Sequence, residues 1–113
     1  MMNSTFKEMP LFERFRSVYL DDDAYQALQW ALQACPEAGD LIPGAGGLRK
    51  LRFADQRRRK GARGGLRVIY FWWQAGAQVW LYMIYDKSEM PDLTPLQRTL
   101  LRKALKAELN TRN

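Results

Sequence analysis

Histidine is absent from this 113-residue sequence. With it go the imidazole acid or base, the Ser-His and Cys-His nucleophile pairs, and the commonest transition-metal ligand. Any catalysis must therefore use Lys, Arg, Tyr or carboxylates. Cysteine is nearly absent too. The single Cys35 allows no intramolecular disulfide and no cysteine-cluster zinc site, which fits a reducing compartment. No metal and no other cofactor are expected. Long apolar runs are also missing: the longest, Val68 to Tyr85, is broken by Gln74, Gly76 and Gln78, which argues against a membrane span. The opening MMNSTFKEMPLFERFR carries charges where an export signal needs an apolar stretch, so a cytoplasmic protein is expected.

What the chain has is length for one domain, residues 1–113, and an apolar content ordinary for a globular fold. It also has unevenly placed charge. Residues 1–47 hold three basic and seven acidic side chains, residues 48–67 nine basic and one acidic, and residues 68–113 six and four. The middle segment, LRKLRFADQRRRKGARGGLR, thus carries more than the net charge of +6 for the whole chain. An ordinary solvated face mixes both signs, whereas a concentration of one sign is a footprint for phosphate or another anionic surface.

The apolar pattern around that segment reads as an α+β domain. PLFERFRSVYL puts Leu11, Phe12, Phe15, Val18 and Tyr19 on one helical face, with Pro10 in the first turn. DDDAYQALQWALQACPEAG reads as a second helix with an acidic start and a stripe of Tyr25, Leu28, Leu32 and Cys35, ended by Pro36 and Gly39. DLIPGAGG is a connection. LRKLRF alternates as a strand, with Leu51 and Phe53 on one face and Lys50 and Arg52 on the other. Residues 54–65 lack apolar periodicity and read as a mobile loop. LRVIYFWW and QVWLYMIYD read as central strands, apolar on both faces, joined near QAGAQ. In the tail, Thr94, Pro95 and Gln97 make a capping box, and Leu96, Leu100, Ala104 and Ala107 mark an apolar helical face.

The chemistry concentrates where cations and aromatics meet. Arg49, Lys50, Arg52, Arg57, Arg58, Arg59, Lys60, Arg63, Arg67 and Lys87 neighbour Tyr70, Trp72, Tyr82 and Tyr85. Cations that hold phosphates beside rings that stack on bases are the ingredients of single-stranded RNA binding, although strand spacing makes most such rings core. Cutting RNA further needs a base for the 2′-hydroxyl, stabilisation of a phosphorane-like transition state and an acid for the 5′-oxygen. Arginine suits the second task, and lysines, tyrosines or Glu89 can carry protons.

In order, GGLRKLR, a basic loop, GGLRVIYFW, VWLYMIYDKSEM and DLT before a helix resemble the RelE/HigB superfamily of bacterial toxin–antitoxin ribonucleases, with the HigB-type branch nearest. The resemblance implies a mainly antiparallel sheet packed with N-terminal helices and a C-terminal helix. It implies a toxin that cuts mRNA in the ribosomal A site by 2′-hydroxyl attack. It also implies a helix-turn-helix antitoxin of HigA type, through whose complex the pair meets operator DNA. Carried over by position, Arg67 stabilises the transition state, Lys50 and Arg52 are the paired strand cations, Lys87 serves proton transfer or phosphate, and Lys60 belongs to the loop that closes on RNA. Lys50, Lys87 and Glu89 are the candidates for acid and base. The remaining cations, with Tyr70 and Tyr85, are expected to form the RNA-binding surface because cations interleave with aromatics there. Two other readings are a non-catalytic RNA- or DNA-binding or antitoxin-binding regulatory module, and an interaction domain for an acidic protein.

Overall fold

The computed structural model describes residues 5–55, 57, 61 and 65–112. In chain order the elements are β1 (Thr5–Glu8), α1 (Pro10–Tyr19), α2 (Asp22–Ala34), β2 (Asp40–Leu41), β3 (Arg49–Phe53), β4 (Leu66–Trp73), β5 (Gln78–Asp86) and α3 (Pro95–Asn110). The sheet runs β1-β5-β4-β3-β2, antiparallel except for the β1–β5 edge. This is the α+β arrangement expected. β4 and β5 match the two apolar runs residue for residue, while β1 and the two-residue β2 carry too little alternation to be visible in sequence.

Both faces of the sheet are covered, which is why its central strands are apolar on both sides. On one face Leu66, Val68, Tyr70, Val79, Leu81 and Ile84 pack with Phe12 of α1 and Leu28 and Leu32 of α2. On the other, Ile69, Trp80, Tyr82 and Tyr85 pack with Leu93 and Leu105, and Leu101 and Leu109 of α3 lie against them. α2 starts on Asp21, whose carboxylate accepts from the Ala24 N–H at 2.8 Å. α3 starts on the expected capping box: Thr94 Oγ1 accepts from Gln97 N–H, and the Gln97 side chain accepts from Thr94 N–H.

Three expectations about helix faces change. α1 buries Phe12 alone, leaving Leu11, Phe15 and Val18 exposed. α3 turns Leu101, Leu105 and Leu109 to the sheet, and the neighbouring stripe of Leu96 and Leu100 stands in solvent. Both helices carry two apolar stripes, and periodicity alone does not choose between them. Cys35 is exposed at the end of α2 rather than packed.

One irregularity decides what faces what. In the β4–β5 ladder Ile69 opposes Met83 while Tyr70 opposes Leu81, so β5 holds one extra residue, Tyr82. Tyr82 and Met83 consequently both turn toward α3. Past the bulge the alternation resumes one step out of phase, and Tyr85 lands on the α3 face opposite Arg67. Strict period-two alternation from Trp80 would have put Tyr85 on the other face.

Candidate functional site

On the α3 face, residues from three strands stand in one row across the sheet. Arg52 of β3 opposes Arg67 of β4, which opposes Tyr85 of β5. Lys50, opposite Ile69, sits one pleat along on the same face. The strand reading of Lys50 and Arg52 on one side and Leu51 and Phe53 on the other thus agrees with the packing, since Leu51 and Phe53 join the α1/α2 core.

Arg67 is only 4% exposed, and its guanidinium donates to the Leu66 carbonyl at 3.0 Å. Burial pushes its pKa down, the facing Arg52 charge adds to this, and Tyr85 acts against it. Guanidinium nevertheless stays a fixed cation at neutral pH. Arg52 is exposed, and among the described residues it makes no hydrogen bond or ion pair. Tyr85 is buried, and among the described residues its hydroxyl has no hydrogen-bond partner. Burial, followed by the Asp92 charge, raises its pKa to about 12, against the pull of Arg67. It can therefore serve as a hydrogen-bond donor, not as a phenolate base.

Lys50 Nζ lies 3.4 Å from Asp92 Oδ1, in the turn leading to α3. The Leu93 N–H, then Lys50 and Arg98, hold the Asp92 carboxyl below its ordinary range. Lys50, Arg52, Asp92 and Arg98 line a cavity of about 190 Å³ with Asp40 and Leu41–Pro43. Arg98 was not singled out from sequence. Its position, the fourth residue of an amphipathic helix, gives no signal separating it from the solvent-facing cations of α3.

Lys87 follows the last pair of the β4–β5 ladder. Its N–H donates to the Gly65 carbonyl at 3.1 Å, and its ammonium is exposed and makes no ion pair among the described residues. Gly65 is required there: a Cβ would come within 2.6 Å of the Phe53 carbonyl oxygen and 2.8 Å of the Asp55 nitrogen. Glu89, in the turn after β5, accepts from the Tyr19 hydroxyl at 3.4 Å and so turns toward α1.

Three candidate RNA contacts move elsewhere. Tyr70 is fully buried on the opposite face, its hydroxyl donating to the Pro36 carbonyl and accepting from the Gly39 N–H. Its ring is part of the core and cannot stack on a base. Arg49 also points to that opposite face, donating to the Gly39 and Glu37 carbonyls, because adjacent residues of a strand alternate. Arg57 is clamped: Nε and one terminal nitrogen each lie 3.2 Å from a carboxylate oxygen of buried Asp55, the other terminal nitrogen donates to the Val18 carbonyl, and the guanidinium covers the Tyr19 ring. It is a structural tie rather than a free phosphate grip. Tyr85 stays in the row but offers a buried hydroxyl rather than an open ring face. Arg58, Arg59, Lys60 and Arg63 lie outside the described residues.

Among the described residues no group of three or more acidic, Cys or His side chains could hold a metal, and no helix is long and apolar enough to cross a membrane. A cavity of about 500 Å³ lies between α1 and α3 and shares no lining residue with the cationic row, its walls including Leu11, Leu100, Leu101 and Ala104. Its polar lining is limited to Tyr82, Glu108 and Thr111.

No protein-family model matches the sequence. Among solved structures, E. coli toxin RelE, in a mutant form in the free state, superposes with a TM-score of 0.52 over 80% of this chain and 90% of that one, at 14% identity. The chain has a RelE-like fold. Within this RelE-like fold Arg52, Arg67 and Tyr85 stand in register on the face packed by α3, with Lys50 one pleat along.

Proposed function

We propose that this chain is the toxin of a toxin–antitoxin pair, a metal-independent, HigB-type endoribonuclease that cuts mRNA in the ribosomal A site and so stops translation. The observation that carries the reading is the Arg52–Arg67–Tyr85 row. Two like charges directly opposed across a ladder cost stability unless an anion comes between them. A buried guanidinium beside an unsatisfied phenol offers fixed charge and a hydrogen-bond donor to a phosphate oxygen.

In the reaction, the ribose 2′-oxygen attacks the adjacent phosphorus and its proton passes to a base. The bond from phosphorus to the 5′-oxygen breaks, and an acid protonates that oxygen. The products are a 2′,3′-cyclic phosphate and a 5′-hydroxyl. Arg67 and Arg52 stabilise the charge gathering on the phosphoryl oxygens, and the Tyr85 hydroxyl donates to one of them. Base and acid are drawn from Lys50, Lys87 and Glu89, since no imidazole is present. The partners are the ribosome, its mRNA and a HigA-type helix-turn-helix antitoxin encoded alongside, and the setting is the bacterial cytoplasm.

The test is synthesis of the protein in a bacterial translation system, with the 5′ ends of cleaved mRNA mapped. Wild type should cut translated messages and spare the same RNA without ribosomes. Arg67→Ala and Lys87→Ala should each reduce cutting on the order of a hundredfold or more. Wild type that leaves translated mRNA intact, yet binds RNA in a salt-dependent manner, would instead identify a non-catalytic module.

A further inference from the structure

The cavity between β3 and the start of α3 contains a residue whose position is unexplained by folding. Arg98 sits in the first turns of α3, where the helix dipole disfavours a cation. Its Nε is buried and has no hydrogen-bond partner among the described residues. A buried N–H without a partner costs stability, and a leucine would cover the same surface without that cost. Two further cations, Lys50 and Arg52, share its cavity with two carboxylates, Asp40, opposite Lys50 in the ladder, and Asp92, which Lys50 holds at 3.4 Å. The Asp92 charge is drawn to both Lys50 and Arg98. Leu41, 60% exposed, forms an apolar wall at the same mouth.

We propose that Lys50, Arg52 and Arg98 form a phosphate subsite for the RNA nucleotide next to the one held at Arg67, and that Asp92 occupies this subsite until RNA displaces it. The assignment rests on the RNA-cutting reading above for the identity of the polymer. The chemistry supports it directly. Two guanidinium groups and an ammonium line one cavity of about 190 Å³ and outnumber its two carboxylates, and the carboxylate held by Lys50 at 3.4 Å stands in for a phosphate oxygen. The row and this subsite share Arg52, so one strand crossing the face would meet both. Arg98 thereby becomes a binding residue contributed by a helix, and Asp92 a competitor built into the free protein.

The experiment measures binding of a short, uncleavable 2′-O-methyl RNA labelled with fluorescein to the full chain by fluorescence anisotropy. Four variants are compared: Arg98→Gln, Arg98→Lys, Asp92→Asn and, as a charge-matched control, Lys103→Gln on the exposed side of α3. Arg98→Gln should weaken binding on the order of tenfold, with Arg98→Lys recovering part of the loss. Asp92→Asn should tighten binding several-fold, roughly threefold or more, because the competing carboxylate charge is gone. Lys103→Gln should change affinity by less than about twofold. Equal effects of Arg98→Gln and Lys103→Gln, or unchanged affinity in Asp92→Asn, overturn the subsite. Asp92→Asn keeps the test decisive if Arg98→Gln fails to fold. Failure here is separable from failure of the cleavage reading. Wild type that cuts translated mRNA while Arg98→Gln binds normally removes only the subsite. Wild type that cuts nothing while Arg98→Gln loses binding removes only the nuclease.

Discussion

Arg52 and Arg67 stand directly opposite one another on β3 and β4, two guanidinium groups facing the same side of the sheet. Like charges in this arrangement destabilise a ladder by roughly 0.2–1 kcal/mol. Arg52→Gln should therefore raise the stability of the free protein by about 0.5 kcal/mol. The same change should lower ribosome-dependent cleavage by about tenfold or more, since one phosphate donor is lost. Urea denaturation and mRNA cleavage in the same preparation check both signs. A variant both less stable and fully active would show that the two arginines do not repel and are not used.

All five tyrosines have raised pKa values, and burial is the leading cause in each. For Tyr82 and Tyr85 the folded value is about 12. A phenol whose folded pKa lies above its unfolded value of about 10 contributes stability that is complete below pH ~10. That contribution is lost as pH climbs toward 12, because the unfolded chain releases its protons first. Tyrosinate absorbance should thus stay low until the protein unfolds in alkali, and then rise together with the loss of circular dichroism. Tyr85→Phe removes one such group along with an unsatisfied hydroxyl, so its alkaline midpoint should move up in pH. A graded rise in tyrosinate while the fold persists would contradict this.

How far the site could be read from sequence follows from where the physics is local. The Lys50/Arg52 face of β3, the capping box at Thr94 and the two long strands are set by neighbours in sequence, and each is found where the pattern puts it. Arg49 beside Lys50 is settled by the same alternation, whereas charge composition, which groups it with the other cations, ignores facing. Tyr85 beside Arg67 depends on the extra residue at Tyr82, and no local pattern marks a bulge between two residues that are both apolar enough for either face. Arg98 meets Lys50 and Asp92 only because α3 folds back over the sheet, a tertiary fact without a local signature. The choice between Leu100 and Leu101 on α3 is of the same kind: both stripes are apolar, and the sheet takes one.

Asp55 and Arg57 separate structure from binding in the basic segment. Asp55 is 1% exposed, and Arg57 meets both of its carboxylate oxygens. Arg57→Ala removes one partner of a buried charge, and the expected loss is about 2 kcal/mol of stability. RNA affinity at a temperature where the variant stays folded should change little beyond the loss of one distant charge, less than about threefold. Chemical denaturation and anisotropy on the same RNA test the two halves. A large affinity loss at intact stability would return Arg57 to the RNA surface.

The end of α3 is fastened by Arg112, whose guanidinium lies 5.2 Å from the Trp73 ring centroid and 5.4 Å from that of Trp80. The two indoles are themselves 5.4 Å apart, and Glu108, one turn back, draws both Arg112 and Lys7 toward the same corner. A guanidinium over aromatic rings is worth about 0.5–1 kcal/mol at an exposed site and more where water is excluded. Arg112→Ala should lower stability by about 1 kcal/mol and change the tryptophan emission, because the rings lose their cation and gain solvent. Arg112→Lys should keep part of the charge interaction but lose the planar stacking, placing it between wild type and alanine. Since this corner lies at the far end of α3 from Arg98, neither variant should alter RNA affinity by more than about twofold while folded. Equal stability of wild type and Arg112→Ala would mean that Leu101, Leu105 and Leu109 hold the helix without help.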